Sequence, residues 1–155
     1  MSSPRNDDAS VLRRKREEIV SAHLTAEARY DIDAALATFH YPRYDVVPSG
    51  NDGRAEGPDA VRAVLEKLYA AFPDFAVDSG PLMHADDVVW VEARNTGTHL
   101  GEFRGVPATG RPVDYRVACA FVFDDDRLVC ERIYYDVATI LHQIGALDPP
   151  GDHAV

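Results

Sequence analysis

The carboxyl group of Asp136 combines a residue type and a position that suit acid–base chemistry. It follows a predicted strand, residues 128–135, and precedes a predicted helix, residues 137–144. On the wall of an apolar pocket, desolvation would raise its pKa toward neutrality, so that it could take a proton from a carbon acid or give one to an oxygen. An Asp between a strand and a helix is equally suited to cap the helix. The sequence leaves both roles open.

His99 and Asn95 form a second candidate group on a long predicted strand, residues 88–100. Side chains alternate along a strand, so both residues share a face with Val89 and Val91. If that face is concave, Asn95 points into a pocket and His99 is a second acid–base group or holds a substrate carbonyl. The alternative for His99 is a structural histidine that hydrogen-bonds the following glycine-rich loop.

The opposite face of the same strand carries the only tryptophan, Trp90, together with Glu92 and Arg94. An aromatic ring beside an arginine is typical of a ring-binding wall or a dimer interface. Glu92 and Arg94 would suit epoxide opening inside a pocket, but a surface cross-strand ion pair explains them equally well. Both alternatives stay open.

Three tyrosines are candidate substrate-binding residues. Tyr134 shares a strand face with Asp136, and Tyr30 and Tyr44 lie near the ends of early elements, at a predicted pocket mouth. Each hydroxyl could donate to a substrate oxygen, and each ring could instead serve only for packing.

The elements that must position these residues follow from hydrophobic periodicity. Helical spacing dominates the first half of the chain, and a period of two follows Pro73. We predict helices at residues 11–30, from Asp31, at 57–72 and at 137–144, and strands at 44–47, 75–79, 82–84, 88–100, 113–123 and 128–135. This order predicts an α+β domain over residues 11–147, with a disordered N-terminus at 1–10 and a tail at 148–155.

The composition excludes several classes of function. A net charge of −10 argues against a nucleic-acid or anionic-membrane partner, which would need a basic face. The two cysteines, Cys119 and Cys130, lie in apolar strands without metal-ligand spacing, so we predict no metal and a reducing, cytoplasmic location. The polar N-terminus does not resemble a secretory signal, and no apolar run is long enough to span a bilayer.

Two stretches of the chain resemble a known family. GTHLGEFRGVPATGR at residues 97–111 is similar to the "GTHxGxxxGxPxTG" stretch of SnoaL-like polyketide cyclases, within the nuclear transport factor two superfamily. ERIYYDVATILHQIG at residues 131–145 is similar to their closing "YxDxxTxLxQxG" stretch. The resemblance covers residues 15–147. It implies a cone of N-terminal helices on a strongly curved antiparallel sheet, a deep apolar pocket and a homodimer formed through the sheet.

The resemblance also implies chemistry without metal or cofactor, in which an acidic residue at the end of the last strand is the general acid–base. Asp136 is the matching position. The family's cyclases place a histidine on the preceding strand, but residues 113–123 contain none, which argues against polyketide aldol cyclisation in particular.

Three functions follow as hypotheses for a hydrophobic small-molecule substrate. The first is a cyclase or isomerase that moves a proton on a carbonyl or ester compound, with Asp136 and His99 as catalytic groups and Tyr134, Trp90, Asn95, Tyr30 and Tyr44 as substrate-binding groups. The second is a hydrolase, for instance of epoxides. The third is a binding module without catalysis, because this fold hosts all three.

Overall fold

The structure is a computed structural model that describes residues 4–148, and it confirms the predicted α+β class. Three helices precede most of the sheet, and a fourth helix closes the chain. The helices are α1 Pro4–Ala28, α2 Ile32–Ala37, α3 Pro58–Ala71 and α4 Val137–Gln143, with a 3₁₀ segment at Val47–Gly53. The strands are β1 Arg43–Val46, β2 Arg54–Glu56, β3 Ala76–Ser79, β4 Met83–His84, β5 Val88–Thr98, β6 Pro112–Asp124 and β7 Arg127–Tyr135.

The strands form one curved sheet in the order β2-β1-β7-β6-β5-β3, and β4 also pairs with β5. All pairs are antiparallel except β1 with β7, which run parallel. In β5, β6 and β7 the odd-numbered residues near the site face inward, as Val91↔Cys119 and Cys119↔Ile133 illustrate. The pairing register of β6 with β7 shifts by one residue between Val122 and Phe123, close to the hairpin turn that joins the two strands.

The helices α1, α2 and α3 pack on the inner face of the sheet and enclose the main core. Val20, Leu36, Leu65, Val89 and Phe121 are among its buried residues. A second core joins the end of α3 to α4 and to the start of β6, through Phe72, Val113, Ile140 and Ile144. Residues of both cores, among them Leu65 and Tyr115, line one cavity.

Some boundaries differ from the sequence predictions. Helix α1 begins at Pro4, so residues 4–10 are helical where disorder was predicted, and proline is a favourable first helical residue. Strand β2 was not predicted, because three residues are too few to show a period. Residues 1–3 of the predicted N-terminus and 149–155 of the predicted tail lie outside the described residues. Within residues 4–148, no helix combines the length and apolar character that crossing a bilayer requires.

Candidate functional site

The site is a cavity of about 710 Å³ between the helices and the inner face of the sheet. This volume lies in the range of sites that enclose a small molecule. Most of its wall is apolar, with Leu24, Val64, Leu65, Leu68, Val91, Ala93, Val117 and Ile133. Few polar side chains line the inner part, and they are Glu27, Tyr44, Asn95, Tyr115 and Glu131. An apolar cavity with a few convergent polar groups is the usual form of a small-molecule site.

The strongest polar feature of the cavity is a buried cluster of four side chains: His23, Glu27, Tyr44 and Glu131. The His23 Nε2 lies 3.2 Å from Glu131 Oε2 and 3.3 Å from Glu27 Oε1. The Tyr44 hydroxyl donates to Glu27 Oε1 at 2.6 Å and lies 3.2 Å from His23 Nε2. His23 is fully buried, and Glu131 is nearly so. One imidazole therefore faces two carboxylates in a region shielded from water.

Three elements bring this cluster together. Helix α1 places His23 and Glu27 one turn apart, so both face the sheet. Strands β1 and β7 pair in a parallel register that sets Tyr44 beside Glu131, and both side chains point inward. The rings of Phe39 and Phe121 pack on His23, with centroids 5.2 and 5.5 Å away. This packing fixes the ring between helix and sheet.

The far side of the His23 ring determines which nitrogen carries a proton. The Thr38 hydroxyl donates to the carbonyl oxygen of Ala35 at 2.7 Å. The Thr38 oxygen can therefore only accept from His23 Nδ1, which lies 2.8 Å away. His23 Nδ1 thus always carries a hydrogen, and only Nε2 can change protonation state toward the two carboxylates.

Burial and charge shift the pKa of every group in the cluster. Burial opposes the charge on His23, but Glu27 and Glu131 outweigh it and raise its pKa to about 10. Burial also opposes the charge on Glu27, yet His23 and the Tyr44 hydrogen bond lower the pKa of Glu27 below its ordinary value. Burial and repulsion from Glu27 raise the pKa of Glu131. These shifts favour a charged His23 and a charged Glu27, and they move Glu131 toward its protonated form.

The cluster is also the group that could hold a metal ion. One ligand atom from each of His23, Glu27 and Glu131 lies within 4.8 Å of the other two. The absence of a metal or cofactor, expected from the sequence, stays a prediction.

Asn95 is a further polar group of the cavity wall. Its Nδ2 lies 3.4 Å from the Tyr115 hydroxyl, and its Oδ1 is buried without a partner among the described residues. A buried amide oxygen without a partner carries a desolvation cost that a bound hydroxyl group would relieve. Asn95 therefore lies where the sequence predicted, on the concave face.

Asp136 lies outside the cavity, at the N-cap of α4. Its carboxylate accepts from the Ala138 N–H at 2.9 Å and from the Thr139 hydroxyl at 2.6 Å. The hydrogen bonds from Thr139 and Ala138 lower its pKa, the opposite of what a proton-transfer role at neutral pH needs. The side chain is exposed and borders a shallow groove on the outer face. Of the two roles left open by the sequence, the structure gives it the capping one.

His99 is odd-numbered, like the inward-facing residues of β5, but it lies just beyond the end of that strand and does not line the cavity. Its Nδ1 lies 2.9 Å from the Thr109 hydroxyl, and Thr109 and Gly110 donate backbone N–H groups to its carbonyl oxygen. The ring is fully buried against Phe72, and Nε2 has no hydrogen-bond partner within residues 4–148. These contacts match the structural alternative, in which His99 anchors the glycine-rich loop.

The remaining predicted residues divide between the two faces of the sheet. Tyr44 lies in the cavity, although at its polar floor rather than at the mouth. Trp90 and Tyr134 lie on the outer face with ring centroids 5.8 Å apart. Arg94 pairs there with Asp114 in a surface cross-strand contact. Tyr30 donates to the Phe75 carbonyl at 2.6 Å and does not line the cavity.

Glu27 and Glu131 were missed by the sequence analysis. His23 lies on the inner face of α1, where it is fully buried, and Glu27 follows it by four residues. Glu131 alternates with Ile133 on the inner face of β7. The signal available in the sequence was a charged residue at an inward-facing position of each element. Because charged side chains are rarely buried without a partner, each of these residues indicates a buried partner.

Comparisons with known proteins support the fold and the family. The model of the family "SnoaL-like polyketide cyclase" matches residues 18–144, most of the chain. No curated protein matches the sequence.

Solved structures match over most of their length. A proposed SnoaL-like polyketide cyclase from Jannaschia sp. CCS1 is 24% identical, with a TM-score of 0.75 over 88% of this chain and 94% of that one. AclR, a proposed hydroxylase from Streptomyces galilaeus, is 23% identical, with a TM-score of 0.74 over 90% and 86%. A proposed polyketide cyclase from Acidithiobacillus ferrooxidans is 27% identical, with a TM-score of 0.68 over 84% and 94%. The first two show the shared fold, and the family match shows more: this chain belongs to the SnoaL-like polyketide cyclase family.

Proposed function

We propose that the chain is a cofactor-independent cyclase or isomerase that moves a proton on a hydrophobic carbonyl or ester compound. The observation that carries this proposal is the pair Glu27 and Glu131, which share His23 at the floor of an apolar cavity. Two carboxyl groups whose pKa values are shifted in opposite directions can supply a base and an acid in one place. The family membership favours the same class of reaction.

In the proposed reaction, a substrate carbonyl oxygen approaches the protonated carboxyl of Glu131. Glu27 removes a proton from the carbon next to the carbonyl while Glu131 gives its proton to the oxygen, and an enol forms. Return of the proton to another carbon completes an isomerisation. Attack of the enol carbon on a second carbonyl of the same molecule closes a ring instead. In both paths the enol oxygen returns its proton to Glu131. The proton on Glu27 goes to carbon in the isomerisation or to the new alkoxide in the cyclisation, so both carboxyl groups regain their starting states.

His23 and Tyr44 support this proton transfer without being its donors. The His23 imidazolium contacts both carboxylates and stabilises whichever one is charged. The Tyr44 hydroxyl donates to Glu27 and orients it. Asn95 and Tyr115 lie on the cavity wall, where they can hydrogen-bond a substrate hydroxyl or carbonyl. We classify His23 and Tyr44 as positioning residues.

Exchange of deuterium into carbonyl compounds tests the proposal without knowledge of the natural substrate. Hydrophobic ketones and β-diketones are incubated with the protein in D₂O, and exchange at carbon is followed by NMR. Glu131→Gln keeps the shape but cannot transfer a proton, so exchange should fall by about 100-fold or more. Asp136→Asn is the matched control and should exchange at the wild-type rate. Equal exchange by wild type and Glu131→Gln would refute the assignment.

A hydrolase is the second candidate, and the same pair of carboxylates favours it. One carboxylate can activate water while the other protonates the leaving oxygen of an epoxide, and Tyr44 lies beside them to orient the water. Incubation of hydrophobic epoxides in ¹⁸O-labelled water distinguishes this reaction, because the diol product carries the label. Binding of ligands with neither exchange nor hydrolysis would identify a binding module.

We also propose a homodimer formed through the outer face of the sheet. Trp90 and Tyr134 stack there, and Met83 and Tyr134 are exposed to a degree unusual for apolar side chains. Sedimentation analysis of wild type and Trp90→Lys measures this directly. The wild type should sediment as a dimer and the variant as a monomer with an unchanged circular dichroism spectrum.

A further inference from the structure

The open end of the cavity carries an excess of positive charge. Its exposed lining residues include Arg54, Lys67 and Arg104, which come from β2, from α3 and from the loop after β5. Among the described side chains that line the cavity, Glu102 is the one exposed acidic residue. The whole chain has a net charge of −10, so three cations around one opening are a local reversal of charge.

Arg104 differs from most arginines of the described chain, because no carboxylate pairs with it among the side chains that the structure describes, those of residues 8–49 and 53–148. Its Nη2 donates to the Ser49 hydroxyl at 2.8 Å and lies 3.3 Å from the Tyr135 hydroxyl, both neutral partners. By contrast, Arg54 pairs with Asp45 at 3.3 Å. A guanidinium has five N–H donors, so most of those on Arg104 remain available to a ligand.

The loop geometry gives a further reason to ask what Arg104 does. Phe103 and Val106 exchange backbone hydrogen bonds at 3.0 and 2.9 Å, so Arg104 and Gly105 form a two-residue turn. Both have left-handed φ values, 51° and 82°. Asn, Asp and Gly favour the first position of such a turn, and arginine does not. The turn therefore does not explain the arginine.

Glu102 does not neutralise this arginine. Its carboxylate accepts the backbone N–H of Gly105 and so serves the turn itself. Arg104 also packs over the Phe103 ring, 5.9 Å from its centroid, and Phe103 lines the cavity. The guanidinium is thus held by an aromatic ring and two hydroxyl groups at the rim of an apolar cavity. This arrangement suits a carboxylate, which a guanidinium binds through two parallel hydrogen bonds.

We propose that the open end of the cavity is an anion subsite in which Arg104, assisted by Lys67, binds the carboxylate of a hydrophobic acid. The apolar body of the ligand fills the cavity. This inference rests on the proposed function. The substrate is then a hydrophobic keto acid whose carbonyl group reaches Glu131 inside the cavity. The carboxylate orients the molecule and takes no part in proton transfer.

A matched pair of probes tests the subsite. Calorimetry compares 2-naphthylacetate with 2-naphthylacetamide, which has nearly the same size and no charge. Wild type should bind the acid at least about tenfold more tightly, as a charged hydrogen-bonded pair implies. Arg104→Gln should remove this preference and leave the amide unchanged, and Lys67→Gln should reduce it. Arg127→Gln, which alters an arginine on the distant hairpin turn paired with Asp124, is the control and should bind both probes as wild type does.

The outcomes separate the subsite from the proposed reaction. Equal binding of acid and amide by wild type, or an unchanged preference in Arg104→Gln, would overturn the subsite whatever the exchange experiment shows. A preference that depends on Arg104 supports the subsite even if no carbonyl compound exchanges deuterium. The same preference in Glu131→Gln also supports it, because that variant lacks only the proton donor.

Discussion

The buried imidazolium of His23 predicts an unusual pH dependence of stability. The native state raises the pKa of His23 from 6.5 to about 10, so it keeps a proton that the unfolded chain releases above pH 6.5. A group with a raised native pKa stabilises the fold fully below its unfolded pKa and ceases to do so as the pH passes its native pKa. The free energy of unfolding should therefore fall steadily between pH 6.5 and about 10.

The contribution of His23 to this fall follows from the proton that its imidazole keeps in the native state and releases in the unfolded state. While the native state binds one proton more than the unfolded state, the free energy of unfolding falls by about 1.4 kcal/mol per pH unit. Between pH 7.0 and 8.5 the loss is about 2 kcal/mol, a large part of the 5–15 kcal/mol typical of a domain. The upper limit avoids the cysteines, because burial also raises the pKa of Cys119 and Cys130 and their effect begins near pH 9.

Urea unfolding at pH 7.0 and 8.5, followed by the fluorescence of Trp90, measures this difference. His23→Gln should unfold with nearly the same free energy at both pH values. Glu27→Gln and Glu131→Gln should each keep the dependence, since the remaining carboxylate still pairs with His23. The double variant should lose it. A wild-type free energy that is constant over this range, or that falls equally in His23→Gln, would refute a charged His23.

Two further predictions concern residues outside the cluster. Asp136→Ala should lower stability by about 1 kcal/mol through loss of the α4 cap, with no loss of ligand binding. Asp136→Asn should retain most of the cap. Thermal melts measure the stability of both variants. Gly101→Ala should cost about 1–3 kcal/mol, because the added Cβ would lie 2.1 Å from the Ala70 carbonyl oxygen. In Gly110→Ala the Cβ meets nothing within 4 Å, so only the strain of a φ of 70° remains and its melting temperature should fall less.

The long elements could be predicted because their periods are strong. Strands β5, β6 and β7 lie within two residues of their predicted bounds, since alternation continues over 9–13 residues in each. The same alternation put Asn95 on one face with Val91, and in the structure both residues line the cavity. Strand β2 and the parallel pairing of β1 with β7 could not be predicted, because each depends on contacts between segments distant in the chain.

The alternation of side chains between the two faces of a sheet predicts a side chain's direction only while the strand continues. His99 follows the last residue of β5, and its side chain packs under the loop with Thr109 rather than in the cavity. Asp136 follows the last residue of β7, where the chain turns into α4 and the carboxylate binds the helix N-terminus. Both residues were chosen at strand ends, where alternation no longer applies.

The catalytic candidates emerge only from the assembled fold. His23 and Glu27 are one helical turn apart, yet by themselves they predict only a surface pair on α1. The parallel pairing of β1 with β7 brings Tyr44 and Glu131 beneath that turn, and burial then turns four ordinary side chains into a proton-sharing cluster. Burial and repulsion from Glu27 raise the pKa of Glu131, whose side chain lines the cavity. The proposed chemistry of this chain thus depends on a second carboxyl group beside one imidazole, which the fold brings together from segments 108 residues apart.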